Sequence, residues 1–290
     1  MSLEVPLHLF ENPTDMEIAA VQQALSEFHV QHGAAFRKRR LRDHHALIVE
    51  NRPAFRIAAA RWLRVLRTEI GETVAGIHSL EDVDRKVDWA AVEQMGRSLL
   101  GGLYYDMLLR AGIRLVKQRL DPIGTAAVNA ARKKSAKMVT VITRETRNAL
   151  RAATAQAIDL GIPTASLGRS IRPLIGLNEP QSKALGRRAA GLLEEGYSES
   201  EVSQLMGRWA DKAIRYRGEM IATTETARAT SDGILTAYEQ NDISKTDWIA
   251  DPLACEKCLE RAEASPYTME EADGLIPLHP WCECTWVVAA

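Results

Sequence analysis

The run SESEVSQLMGRWADKAIRYRGEMIATTETARATSDGILTAY fills residues 198–238, and EQNDISKTDWIA follows it over residues 239–250. The first string has no proline and opens on Ser198-x-x-Glu201, a capping box whose two side chains satisfy free amide donors at a helix start. Unbroken, ~40 helical residues would span ~60 Å at 1.5 Å per residue. A bend at Gly207 or Gly218, giving two helices, is the expectation for a compact domain. At Asn241-Asp242 the texture changes. Thr246–Ala250 and Cys284–Val288 have the β-branched and aromatic content of short strands, and proline, glycine and acidic residues crowd the interval between them. The fold class is therefore mainly α: an elongated multi-helix body with a small α+β C-terminal module.

The chain on the N-terminal side of this run also reads as helix. Thr14 or Asp15 can cap a helix that carries Ile18, Val21, Ala24, Leu25 and Phe28 on one face and stops near Gly33. A second helix begins with Pro53 in its first turn and places Arg61 and Arg64 on one face, with Arg67 a turn further. Breaks are expected around Gly71–His78 and Asp84–Asp88. From Trp89, the residues Val92, Met95, Leu99, Leu103, Met107 and Leu108 form an apolar stripe expected in the core, and Asp121-Pro122 ends that region. A further helix is expected from Thr125 to Leu160, broken near Lys137 and closed by Gly161. Shorter helices follow over Thr164–Ile175, closed by Gly176, and Pro180–Glu195, capped by Asn178 and closed by Gly196. The expected division is a basic helical region over residues 1–84, a helical body over 85–241 and a Cys/His module over 242–290.

Composition sets outer bounds. With 290 residues, 46% hydrophobic and 26% charged, the chain has the balance of a globular protein, which excludes wholesale disorder and fibrous classes. No apolar run approaches the ~18 residues needed to cross a bilayer. The opening MSLEVPLHLFENPTD lacks a basic n-region and an apolar h-region, so synthesis in a cytosol, without membrane contact, is expected. The net charge of -1 hides a polarity. Between Phe36 and Arg67, ten basic residues face two acids, a net of +8; a second basic stretch runs from Arg132 to Arg151; from Glu239 to Gly274, ten acids face three bases, a net of -7. Such polarity marks either solvated helix faces or a part that meets phosphates or an acidic protein surface.

All four cysteines lie in the last 36 residues: Cys255-Glu-Lys-Cys258 and, twenty residues later, His279-Pro-Trp-Cys282-Glu-Cys284. A C-x-x-C pair can grip one ion from a tight turn, and a distant His and Cys can complete the tetrahedron that structural zinc requires. Cys255, Cys258, His279, Cys282 and Cys284 are thus five candidate ligands for four places. Two residues apart on a strand, Cys282 and Cys284 would point to one side, so either can serve. A metal staple would compensate for the module's few apolar residues. A free-thiol cluster or a pair of disulfides is the competing reading. No βαβ pattern flanks the C-x-x-C, which removes a thioredoxin-like role.

Enzyme motifs are absent. No histidine is followed two residues later by glutamate, as a zinc deaminase requires. His-Glu-x-x-His, the P-loop, Gly-x-Gly-x-x-Gly and Gly-x-Ser-x-Gly do not occur. His44 and His45, beside the basic run, are expected on the surface. With the cysteine pairs spent on the ion, no open coordination position is evident, so the expected zinc is structural and no catalytic residue is assigned.

The run from Arg217 to Gly233, then Tyr238, Lys245-x-x-Trp248, Asp251, Cys255-x-x-Cys258 and His279-Pro-x-Cys282-x-Cys284, resembles the tailed-phage minor head proteins, the head morphogenesis family similar to phage Mu protein F. Upstream, Ile171-Arg-x-x-Ile-Gly-Leu-x-x-x-Gln181 with Ala184-Leu185 fits the family's run-in, so the resemblance covers about residues 85–287. It implies a minor capsid protein, present in few copies in the virion head near the portal and made in the bacterial host cytoplasm. The implied partners are the portal protein, the major capsid protein and double-stranded DNA, the last through the basic N-terminal helices. Glu283 departs from the family's usual Arg between the last two cysteines, and Ser231 or Asp232 from its usual Asn. Thr224-Glu225 is another family landmark. Glu225 reads either as a solvated ion pair on its helix or as a partly buried acid that hydrogen-bonds the zinc module to the long helix. The alternative function is a zinc-dependent enzyme acting on nucleic acid or protein, for which the ion would keep a water. A DNA-binding regulator is disfavoured, because the module itself carries -7.

Overall fold

The computed structural model describes residues 15–74, 76–116, 125–159 and 172–289. Among these, eight α-helices precede or interleave with three short strands. Helix α1 spans Asp15–Val74, α2 Leu80–Lys86, α3 Trp89–Ala111, α4 Thr125–Asp159, α5 Glu179–Glu194 and α6 Glu199–Glu239. In the module, β1 (Lys245–Ile249), α7 (Glu256–Glu263), β2 (Tyr267–Thr268), α8 (Met269–Ala272) and β3 (Thr285–Val288) follow in order. The mainly helical class with a small C-terminal sheet is as the sequence indicates.

Helix α6 is the axis of the body. Ser198 and Glu201 form the reciprocal capping box, and the helix continues without interruption for 41 residues. The expected bend at Gly207 or Gly218 is absent. A lone glycine costs only ~1 kcal/mol in a helix, and α1 braces α6 side by side along its length. The C-terminal half of α6 is buried on nearly every side, although its residues are mostly Ala, Thr, Ser and Gly. Their small volume lets neighbouring helices approach. Three of their hydroxyls are satisfied within the helix, Thr224 donating to the Met220 carbonyl at 2.7 Å, Thr226 to Ala222 at 2.6 Å and Thr230 to Thr226 at 2.8 Å. Gly233 marks the closest approach, since a Cβ there would sit 2.1 Å from the Leu108 carbonyl oxygen on α3.

Three further boundaries differ from expectation. The stop near Gly33 and the fresh start at Pro53 are both missing, because α1 runs through them for 60 residues with Pro53 inside. An internal proline forfeits one hydrogen bond and costs ~3 kcal/mol. Burial of Phe55, Trp62, Leu63, Leu66 and Ile70 in the core offsets that, and Val49, whose carbonyl loses its partner, lies on an exposed stretch. Helix α4 likewise passes Lys137 unbroken, since neither Gly nor Pro occurs within it. On α3 the buried line runs through Val92, Gly96, Leu100, Tyr104, Met107, Leu108 and Ala111. Met95, Leu99 and Leu103 are only half-buried. The stripe rotates because Trp62 fills the space over Gly96, where a Cβ would meet its ring at 2.7 Å. Asn178 caps α5 in a box with Gln181, and Gly196 closes it at φ +91°. Asp121-Pro122, Gly161 and most of Thr164–Ile175 fall outside the described residues.

The sheet order is β2-β1-β3, antiparallel throughout. Trp248 on β1 stands opposite Trp286 on β3, their rings edge to face at 5.3 Å, with Tyr267 against Trp286 at 5.8 Å. The Trp286 indole N–H donates to Ser231 of α6 at 2.8 Å, which ties the sheet to the body. A single contiguous core runs from Leu47 to Trp286.

Much of the basic charge of α1 is met inside the molecule. Arg37 pairs with Asp247 at 2.7 Å, Arg52 with Glu283 at 2.8 Å, Arg56 with Glu219 at 3.0 Å and Arg67 with Asp211 at 2.6 Å. Arg40 is buried, donating to the Trp286 and Leu115 carbonyls and to the Tyr238 hydroxyl. The second basic stretch is used similarly: Arg147 and Arg151 meet Asp84, while Lys134 bridges Asp232 and Asp273. The basic helix α1 is thus the cradle of the acidic module.

His44 and His45 are not the surface residues expected. His44 is fully buried, and His45 sits 2.7 Å from Asp251. Both lie under the module because α1 turns this face toward it. Burial, with His45 and Arg40 nearby, pushes the His44 pKa down to about 3, against a weak opposing effect of the Glu283 main chain. Between that value and ~6.5 the unfolded chain binds a proton that the folded one excludes. His44 should therefore cost stability as pH falls through this window, at up to ~1.4 kcal/mol per pH unit. Urea titrations of His44→Leu should show a flatter stability profile between pH 6.5 and 4 than the parent.

Candidate metal centre

Cys255 is the N-cap residue of α7, and the Cys258 N–H closes the first turn onto the Cys255 carbonyl at 2.9 Å. This turn brings the two thiols to one side. The facing turn is His279-Pro280-Trp281-Cys282, closed by the Cys282 N–H on the His279 carbonyl at 3.1 Å, with Trp281 at φ +67°. The His279 Nε2 lies 3.3 Å from the sulfurs of both Cys255 and Cys258, and the Cys258 and Cys282 sulfurs are 3.8 Å apart. Around an ion with bonds of ~2.3 Å to sulfur and ~2.05 Å to nitrogen, tetrahedral edges are about 3.8 Å for S···S and about 3.6 Å for S···N. The observed S···S spacing is that of a tetrahedral edge, and the two S···N spacings are slightly shorter than one. A disulfide needs about 2.05 Å, and all four cysteines are free.

Two overlapping groups can hold a metal ion: Cys255, Cys258 and His279, and Cys258, Cys282 and Cys284. Cys258 is common to both. All five residues singled out in the sequence therefore converge, although Cys282 and Cys284 precede β3 and are not within it. The spacing alternation still holds: Glu283 turns the other way, onto Arg52.

The electrostatics suit a cation. His279 Nδ1 donates to the Pro280 carbonyl at 2.7 Å, which leaves Nε2 as the lone-pair donor aimed at the sulfurs, the outer-shell arrangement typical of metal-bound histidine. The same hydrogen bond raises the His279 pKa. The Cys258 main-chain N–H holds the Cys255 thiol below its ordinary value, and a hydrogen bond from Cys284 draws Cys282 down to about 5. Burial, with the charge on Cys282 beside it, pushes Cys258 up to about 12, and Cys284 is raised as the partner that keeps its proton for Cys282. A thiolate crowded against further sulfurs in a buried place is what a divalent cation neutralises.

The module is pinned to α6 at this point. The Trp281 N–H donates to Thr224 Oγ1 at 3.2 Å, and the Trp281 ring rests 5.9 Å from that of Tyr216. Glu225 is buried, with both carboxylate oxygens 2.6 Å from Arg228, and burial raises its pKa. It is thus neither a solvated pair nor a bond to the module; the neighbouring threonine makes that bond. Arg217, two turns away, is fully buried and spent on Glu145, Thr146 and the Gly176 carbonyl. Asp232 receives the Tyr104 hydroxyl and Lys134. Thr224→Val should cost only ~1 kcal/mol yet speed proteolytic cleavage around Trp281. Glu225→Ala, which strands a largely buried guanidinium, should lower global stability by ~2 kcal/mol without selective cleavage there. Limited proteolysis beside denaturant unfolding separates the two.

Comparisons with protein-family models, with curated proteins and with solved structures find no match.

Proposed function

We propose that this chain is a minor structural protein of a tailed-phage or prophage head, acting at the portal during assembly, with a C-terminal module stapled by one structural zinc ion. The observation that carries the zinc reading is the overlap of two donor groups at Cys258, one with Cys255 and His279 and the other with Cys282 and Cys284. Zinc suits thiolate and imidazole donors in that geometry. Cys284 stands behind Cys282 as a thiol donor to its sulfur. The motif from Arg217 to Cys284 supports the head-protein assignment, and its members have architectural roles here. Arg217 and Asp232 knit α6 to its neighbours, Thr224 holds the turn that carries Cys282, and Trp248 and Trp286 form the sheet's core.

With Arg37, Arg40, Arg52, Arg56 and Arg67 engaged inside the molecule, α1 serves the fold first. Contact with portal or major capsid protein is then the favoured role over contact with packaged DNA. No catalytic residue is assigned. Elemental analysis together with X-ray absorption at the metal edge should give one zinc with three sulfurs and one nitrogen, and the protein should co-sediment with portal assemblies. An oxygen ligand in place of one sulfur would favour the zinc-enzyme alternative. Absence of the protein from purified heads would overturn the virion assignment.

A further inference from the structure

A groove of about 480 Å³ runs between α1 and α6. Its floor is apolar, formed by Ile57, Ala60 and Ile214, and Ile57 is 66% exposed. The ion pairs Arg67–Asp211 and Arg56–Glu219 close its two ends. On its rim, Arg64 and Arg215 are exposed and make no ion pair among the described residues. The eleven residue steps from Arg56 to Arg67 give it a length of about 16 Å at 1.5 Å per residue, which suits a short helix.

The molecule presents the complementary shape elsewhere. Helix α7 buries Cys258 and turns Glu256, Glu260 and Glu263 outward. These positions share one face by the i, i+4, i+7 rule, and none of the three makes an ion pair among the described residues. Leu259, 49% exposed, sits at the edge of this face, and Leu253, 93% exposed, projects from the loop that leads into the helix. An apolar groove flanked by unpaired arginines and an acidic helix edged by bare leucines are thus two different surfaces of one chain.

We infer that α7 of one copy docks in the α1–α6 groove of a second copy, with Leu259 over Ile57 and the glutamates against Arg64 and Arg215. The two surfaces are distinct, so the contact is head-to-tail. It leaves a free groove at one end and a free α7 at the other, and it propagates into a ring or an open chain. An eight-residue helix and one loop cover less than the ~800 Å² per partner of a stable complex, so association is weak and weakens further with salt. The inference stands apart from the head-protein reading, and its test uses the purified metal-loaded chain alone.

Sedimentation equilibrium at low salt should show wild-type protein growing beyond dimer as concentration rises. Ile57→Asp and Leu259→Asp alter exposed side chains, and unchanged circular dichroism confirms their fold. Each alone should self-associate at least ~10-fold more weakly. An equimolar mixture should recover binding through the one intact groove and the one intact α7, and stop at a 1:1 pair. Wild-type protein that stays monomeric, variants that associate like wild type, or a mixture that remains monomeric would each overturn the inference.

Discussion

Replacing Cys258 with serine should abolish metal binding and unfold residues 242–289 while leaving the helical body standing. Cys258 belongs to both ligand groups and is buried at their junction. Structural zinc in small domains contributes about 10–16 kcal/mol of apparent binding free energy that is also folding free energy. A three-stranded sheet with one two-residue strand cannot replace that. The expected readouts are loss of the metal in elemental analysis, loss of near-ultraviolet dichroism from Trp248 and Trp286, and rapid proteolysis beyond Asp251, with most of the far-ultraviolet helical signal retained. Chelation of the wild-type protein should have the same effects. Lowering the pH should release the ion, because the ligands bind it deprotonated. Cys284→Ser is the control: as an outer partner of Cys282 it should retain the metal with ~10–100-fold weaker affinity. If Cys284→Ser emptied the site and Cys282→Ser did not, the two roles would be reversed.

Gly233→Val should be the most damaging single change in the helical body. The obstacle to a side chain there is the Leu108 carbonyl at 2.1 Å, with the Ala111 Cβ at 3.0 Å. Both belong to rigid parts of α3, so no rotamer change relieves the clash, and the two helices must separate. Overpacking of cores costs ~1–3 kcal/mol and at times more. The rigid obstacle places this case above ~3 kcal/mol, which corresponds to a fall of at least ~6 °C in Tm for a chain of this size. The separation would also break the Tyr104–Asp232 hydrogen bond beside it. Gly207→Ala on the same helix is the counterpart. Nothing lies within 4 Å of the added methyl, and the gain in helix propensity should stabilise the protein by ~0.5–1 kcal/mol. Thermal melts of the two variants, side by side, check both.

How much of this was legible in the residues depends on the range of the forces involved. Local signals transferred well. The capping box at Ser198, the cap at Asn178 and the strand character around Trp248 and Trp286 all act within a few residues. The cysteine and histidine spacing was legible for the same reason, since a C-x-x-C turn is a local geometry. Helix breaks were over-read. Gly33, Pro53, Gly207 and Gly218 weaken a helix locally, and only the packing of α1 against α6 shows that the cost is met. The small side chains of residues 221–237 gave no apolar stripe to recognise, because their role is close approach. Burial of His44, and the meeting of Arg37, Arg40 and Arg52 with a module some two hundred residues away, depend on tertiary pairing that no local pattern encodes. The net charges of the two segments account for only part of it: Arg37 and His45 meet Asp247 and Asp251 of the acidic stretch, while Arg52, Arg56 and Arg67 pair with acids outside it.

That pairing has a consequence for biosynthesis. Arg37 precedes its partner Asp247 by 210 residues. At about 5–20 residues per second, the arginine-rich helix waits on the order of 10–40 seconds outside the ribosome before its acidic lid is translated. During that interval it is a bare polycation beside ribosomal RNA. A message truncated before Asp211 would yield a product that lacks these acidic partners and stays adhered to nucleic acid.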